Sequence, residues 1–155
     1  MNDNLLTLRV ALASDAPALA ELSAELGYRV DAETMRRRVI ALGDRPDQAV
    51  VVAERETALA EHSRGVVGWI HVGRTVSLEG GEAAEIYGLV VRADTRRAGV
   101  GRQLVRYAQE WGRTQGLERI VVRSNALRTD PHFFYPALDY VLAKTQRVYV
   151  KPLGQ

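Results

Sequence analysis

The sequence contains no cysteine. Disulfides, thiolate zinc sites and a cysteine nucleophile are excluded, and nothing argues for an oxidising compartment. Lysine is nearly absent as well: Lys144 and Lys151 are the only two, and arginine carries the rest of the positive charge. No apolar run approaches the length of a membrane span. The N-terminus lacks the basic-then-apolar layout of a secretion signal. No metal-ligand cluster, internal repeat, linker or low-complexity segment stands out. The formal charge is only +2, and no nucleic-acid motif is present. The expectation is a soluble cytoplasmic protein with no metal, no membrane and no nucleic acid as partner.

What is present fits one domain spanning residues 1–155, a length that supports a single sizeable core. Residues 5–11 alternate Leu6, Leu8 and Val10 against Thr7 and Arg9, the period of a half-buried strand. Ser14 and Asp15 open a helix with Pro17 in its first turn and Leu19, Leu22 and Leu26 on one face, and Gly27 ends it. Asp31 caps a second helix carrying Met35, Val39 and Leu42. Its arginines 36, 37 and 38 read as a solvated face. Residues 49–53 and 66–72 are apolar strands joined by a polar hairpin loop, and residues 73–81 form a looser connection. Residues 84–91 make a central strand. A helical pattern covers residues 102–115, with Gly116 as its stop. Residues 120–122 are a short strand. Asp130 and Pro131 open a short helix that Pro136 interrupts or ends. Residues 141–150 supply one or two closing strands. The sum is a mixed α/β (α+β) domain, with about four helices around a mixed sheet of six or seven strands.

The stretch from residue 86 to residue 101 organises this order. A buried strand runs into a polar turn, then into Arg96-Arg97-Ala98-Gly99-Val100-Gly101, then directly into a helix. That layout aims backbone N–H groups and the positive end of a helix at one spot. An anion with several oxygens, such as a pyrophosphate, suits it. Arg92, Arg96, Arg97, Arg102 and Arg106 surround the turn.

These residues resemble the GNAT superfamily of acetyl-coenzyme A dependent N-acetyltransferases. The family signature Gln/Arg-x-x-Gly-x-Gly/Ala is met at residues 96–101. The segment Phe134-Tyr135-Pro136-Ala137-Leu138-Asp139-Tyr140 is similar to the family's late Phe-Tyr-x-x-Leu-Gly-Phe/Tyr motif, with Asp139 at the glycine position. Glu85 lies eleven positions before Arg96, the offset of the general-base glutamate in the histone-acetyltransferase branch. The resemblance implies acetyl-CoA as cofactor, with its pantetheine arm paired to the backbone of Leu89, Val90 and Val91. It implies a pyrophosphate cradle of Arg96, Arg97, Ala98, Gly99, Val100, Gly101 and Arg102. It also gives Asn125 and Arg128 contacts to the same ligand. Segments such as Trp69-Ile70-His71 and Ser124-Asn125 look like those of aminoglycoside 6′-N-acetyltransferases.

The chemistry implied is direct acetyl transfer to a primary amine of a small molecule in a ternary complex. An alkylamine is only about one part in two thousand neutral at pH 7. Collecting that form costs about 4–5 kcal/mol of barrier. Glu85 as base and Tyr135 as acid would fill the two proton roles, and a backbone N–H near Leu89 or Val90 would stabilise the oxyanion. Simple alternatives stand beside these roles. Glu85 could be a solvent-facing or Arg-paired carboxylate, and Tyr135 a core aromatic. His71 could line an acceptor pocket or lie on the sheet surface. Tyr28, Trp69 and Tyr87 could form an acceptor wall, and Glu79, Glu82 and Glu85 an acidic rim. A CoA-binding sensor without catalysis and a protein or peptide N-acetyltransferase are the other readings, and a homodimer is left open.

Overall fold

Five strands cross one sheet in sequence order: β1 (Leu6–Val10), β2 (Gln48–Glu56), β3 (Arg64–Ser77), β4 (Gly81–Val91) and β5 (Ile120–Val122). The computed structural model describes residues 5–56, 64–95, 98–124 and 130–154. β1 to β4 pair antiparallel, whereas β5 joins β4 in parallel. The helices are α1 (Ala16–Glu25), α2 (Ala32–Gly43), α3 (Val100–Thr114) and α4 (Asp130–Ala137). The chain divides into two compact units, Met1–Val122 with the whole sheet and Arg123–Gln155 with α4.

In the first unit the sheet is covered on both faces. α3 carries Val100, Leu104, Val105 and Ala108 on one buried stripe. Gly68 and Ala84 lie against it: a Cβ on Gly68 would meet Leu104 and Val100, and Ala84 Cβ lies under Gly112. Strand alternation then puts Ile70, Val72 and Ile86 on that same face. The opposite face belongs to α1 and α2. There Leu19 and Val39 pack with Val52, and Trp69 and Met35 close over them. Burying a leucine such as Leu104 contributes about 1.5–3 kcal/mol.

Local chemistry sets the helix ends as the sequence predicts. Asp31 Oδ1 accepts the Thr34 N–H at 2.8 Å and so caps α2. Gly27 (φ +87°) and Gly116 (φ +77°) take the left-handed conformation that ends α1 and α3. The first helix opens after Asp15 with Pro17 in its first turn, as expected, but the Asp15 side chain does not cap it. A 3₁₀ turn over Ala13–Asp15 precedes α1, because Asp15 is engaged elsewhere. Its carboxylate takes the Leu12 N–H at 2.7 Å and a bidentate pair from Arg9 at 2.8 and 2.9 Å. Arg9 Nε also reaches Glu54 at 3.1 Å. Hydrogen bonds from Arg9 hold the Asp15 carboxyl below its ordinary range. Asp15→Asn is therefore expected to cost about 2 kcal/mol at neutral pH. A lowered carboxyl contributes stability above its unfolded value, near 3.9, and loses it below. Denaturant melts of wild type and variant should converge as pH falls under about 4.

Two sequence expectations are corrected. Residues 73–77 are not a loose connection but the end of β3, which pairs with β4 down to Ser77↔Gly81. Val72, Arg74 and Val76 keep a strand's alternation there, and Arg74 bridges to Glu82 at 2.9 Å. Among the described residues the sheet has five strands rather than six or seven, because residues 141–150 form none. Strand propensity needs a ladder partner, and the second unit contains no other strand among its described residues. Val141, Leu142, Val148, Tyr149, Val150 and Leu153 are 81–94% exposed. The strands flanking the expected hairpin loop reach Glu56 and begin again at Arg64, and residues 57–63 lie outside the described residues.

Candidate functional site

The site is built on an irregularity in β4. His71 pairs with Gly88, yet Val72 pairs with Ile86, so Tyr87 is an extra residue and β4 bulges there. The bulge reverses side-chain parity. Before it, Glu85 lies opposite Gly73; after it, Gly88 and Val90 lie opposite His71 and Trp69. Glu85, Tyr87, Gly88 and Val90 therefore share the α1/α2 face, and Leu89 does not. Strict alternation along β4 would put Leu89 with Glu85, and the bulge prevents it. Gly88 is required here: a Cβ would sit 2.7 Å from the Trp69 ring.

The same bulge coincides with the end of β5. The parallel ladder covers Ala84, Glu85 and Ile86 only, and β4 continues to Val91. From Tyr87 to Val90 no strand follows on that side among the described residues. This leaves the main chain of Leu89 and Val90 beside an opening in the sheet. An extended, polar ligand arm can be received at such an edge by backbone hydrogen bonds.

Glu85 is 5% exposed, so it is not the solvent-facing carboxylate of the simple alternative. The Tyr87 hydroxyl hydrogen-bonds to it and to Thr75. Burial, and then the Glu85 charge, push the Tyr87 phenol above its ordinary value. The proposed acidic rim does not form: Glu79 is exposed in the β3–β4 turn, Glu82 is paired with Arg74, and Glu85 is buried. Trp69 belongs to the α1/α2 core, whereas Tyr28 is exposed beyond α1.

After β4, a 3₁₀ turn over Ala93–Thr95 leads to Gly99, the N-cap of α3. Thr95 is buried and donates to Arg92 O at 2.9 Å, while Arg92 pairs with Asp94. Gly99 has φ +80° and no side chain caps the helix. The first intrahelical bond runs from Gln103 N to Gly99 O. The N–H groups of Val100, Gly101 and Arg102 precede that bond, as an anion cradle requires. These residues fit a diphosphate group. Arg96, Arg97, Asn125 and Arg128 lie outside the described residues.

In the second unit Tyr135 sits in α4, half-buried between two rings. Phe134 is 5.0 Å away and Tyr140 is 5.5 Å away, both edge-on. Burial pushes its phenol up to about 12, with Tyr140 adding to the effect. Pro136 does not break the helix before Tyr135; α4 runs on to Ala137. Asp139, at the family's glycine position, adopts φ +68°. It thus takes the backbone conformation for which glycine is favoured, one that Asp tolerates better than most residues. The chain turns back so that Tyr140 N donates to Tyr135 O at 3.1 Å.

Sequence reasoning missed Gln48 as a partner of His71. Only the register of β2 on β3, which sets Gln48 opposite Gly73, brings the two side chains together.

The comparisons with known proteins agree with this arrangement. The Acetyltransferase (GNAT) family model matches residues 16–138. The uncharacterized N-acetyltransferase YhdJ of Bacillus subtilis (strain 168) is 32% identical over 130 residues, covering 84% of each chain. The aminoglycoside N-acetyltransferase AAC(6′)-Iy, solved in complex with CoA, superposes with a TM-score of 0.83 at 15% identity, covering 97% of both chains. Glucosamine-6-phosphate N-acetyltransferase from Arabidopsis thaliana gives a TM-score of 0.77 at 18% identity, covering 94% of this chain and 98% of that one. At such identities the two solved structures share the fold. With the family model across most of the chain and a curated relative of this similarity, the chain belongs to the Acetyltransferase (GNAT) family and is an acetyl-CoA dependent N-acetyltransferase.

Proposed function

We propose that this protein moves the acetyl group of acetyl-CoA directly to a primary amine of a small molecule, with residues 1–155 acting as one catalytic domain. The observation that carries the reading is the coincidence at Tyr87. There β4 bulges, β5 has just ended, and the buried Glu85 lies within the last three paired positions. The thioester supplies an activated acetyl group when bound. Main-chain groups of Leu89, Val90 and Val91 hold the pantetheine arm. N–H groups of Ala98, Gly99, Val100, Gly101 and Arg102 hold the diphosphate, joined by Arg96 and Arg97. Asn125 and Arg128 keep the ligand contacts that the resemblance gives them. A backbone N–H at Leu89 or Val90 stabilises the developing oxyanion.

Glu85 accepts a proton from the amine, and Tyr135 donates one to the leaving sulfur. A phenol raised to about 12 remains protonated at neutral pH and can serve as that donor. The sign follows: the acid function is full below about 12 and is lost only above it. The rate is thus expected to show no loss from Tyr135 ionisation between about pH 8 and 10. A Tyr135-dependent fall in kcat within that window, absent in Tyr135→Phe, would contradict the assignment.

Neighbours of this fold act on aminoglycoside and glucosamine 6-phosphate amines, which supports a small-molecule acceptor. Calorimetric titration with acetyl-CoA, followed by a thiol-release screen over amine classes, tests the reading. Binding and release with at least one small amine are expected. Absence of binding would sink it, and release only with peptides would move the acceptor to proteins.

A further inference from the structure

His71 sits in the middle of β3 on the α1/α2 face of the sheet, and its surroundings are built around it. Its Nε2 lies 2.7 Å from Gln48 Oε1. The Tyr87 ring, on the bulge of β4, lies 4.8 Å away at a 39° tilt. Gly73 makes the first contact possible, since a Cβ there would come within 2.4 Å of Gln48 Oε1 and 2.5 Å of its Nε2. An amide oxygen only accepts, so in this contact Nε2 donates, and a neutral ring then keeps its lone pair on Nδ1. The Gln48 contact is the hydrogen bond made by His71. Among the described residues, the buried side-chain atoms lacking a partner are Arg55 Nε and Trp69 Nε1. His71 Nδ1 is not one of them, and with no hydrogen bond to it among the described residues it is not sealed from solvent.

We propose that His71 Nδ1 is a second proton acceptor for the incoming amine, with Gln48 as the positioning residue that holds its tautomer. The proposal rests on the acetyl-transfer reading above. The amine arrives as its ammonium. One N–H bond breaks, its electron pair stays on nitrogen, and the proton goes to Nδ1. The new C–N bond then forms as the C–S bond breaks with its pair on sulfur; Glu85 takes the second nitrogen proton, the sulfur is protonated as described above, and the imidazolium returns its proton to water.

The surroundings keep the ring neutral and ready. Burial pushes the imidazole below the ordinary histidine value. β4 presents Glu85 and Tyr87 on the same face. Asp47 and Arg45, paired with each other before β2, lie within electrostatic reach of Tyr87. α1 and α2 turn Leu19, Leu22 and Val39 inward, whereas Glu21, Glu25, Glu33 and the arginines 36, 37 and 38 are exposed.

The test uses the full chain. Nitrogen-detected NMR of histidine-labelled protein should show His71 as the neutral Nε2–H tautomer, identified by its loss in His71→Gln. Thiol release is then followed with acetyl-CoA and the best of spermidine, tobramycin and a tripeptide, over about pH 5 to 9. His71→Gln is expected to lower kcat/KM for the amine about 10²-fold and to erase the acid-side inflection, with acetyl-CoA affinity unchanged. Gln48→Glu is expected to move that inflection up by about 1–3 units, since a carboxylate on Nε2 favours the imidazolium. A merely structural histidine would not shift it. A Nδ1–H tautomer, or a wild-type profile in His71→Gln, overturns the proposal. If His71→Gln does not fold, the Gln48→Glu shift decides alone. Failure of the wild-type chain to bind acetyl-CoA falls on the transfer reading instead, and the tautomer measurement still judges His71.

Discussion

Glu85→Gln is expected to lower kcat by about 10²–10⁴-fold while leaving acetyl-CoA affinity unchanged. The two side chains are isosteric, so the buried position is filled in the same way and Tyr87 keeps an acceptor for its hydroxyl. What is lost is the capacity to take a proton. Tyr135→Phe should fall in the same range, because it removes the phenol and retains the edge-on contacts with Phe134 and Tyr140. The two variants separate by pH. Raising pH supplies neutral amine and should partly rescue Glu85→Gln, whereas Tyr135→Phe should gain nothing from it. Wild-type turnover in either variant across a pH series removes that residue from the mechanism.

Gly68→Val is expected to cost about 3 kcal/mol of stability and to weaken acetyl-CoA binding at the same time. A Cβ at residue 68 would lie 2.9 Å from the Val90 carbonyl oxygen and 3.3 Å from both Leu104 Cδ1 and Val100 Cγ1. A backbone carbonyl in a central strand cannot yield, so α3 must move outward. Its first turn carries the N–H groups proposed to hold the diphosphate, and affinity should follow. Thermal melts should drop by about 6–12 °C for a chain of this size. Gly112→Ala is the control, with its Cβ only 3.1 Å from Ala84 Cβ near the far end of the same helix. It should destabilise less and leave affinity intact. Unchanged affinity in Gly68→Val, measured where the protein is still folded, would show that the diphosphate is not held by the start of α3.

The elements that were legible in the chain are those with local causes. Asp31 capped α2 because an aspartate oxygen reaches a backbone N–H three residues on, whatever surrounds it. Gly27 and Gly116 marked helix ends because a left-handed backbone is cheap only for glycine. Asp139 shows the limit of that rule. Its φ of +68° accompanies the turn that brings Tyr140 back to Tyr135, and its place at the family's glycine position was the mark of it in the chain. The apolar period of α3 was equally readable, with Leu104, Val105 and Ala108 on one face.

Site features that depend on pairing between strands were not readable. The extra residue at Tyr87 has no marker in the string Glu85-Ile86-Tyr87-Gly88-Leu89, because a bulge is a mismatch between two strands. Its consequence is large: it parts Leu89 from Glu85 and joins Glu85 to Tyr87, Gly88 and the His71 face. The burial of Glu85 had the same origin. The apolar segment after Tyr140 read as strand, yet forms none in the second unit, where it has no strand to pair with.

The order of residues by itself determined most of the element types, the Asp31 cap, the glycine turn into α3 and the family to which the chain belongs. All of these rest on neighbours within a few positions, where sterics and hydrogen-bond reach act directly. Tertiary structure alone decided which face Glu85 occupies, where β5 leaves β4, and that Gln48, opposite Gly73, reaches His71. Those outcomes depend on register between distant strands, and a register is set by the packing of the whole sheet.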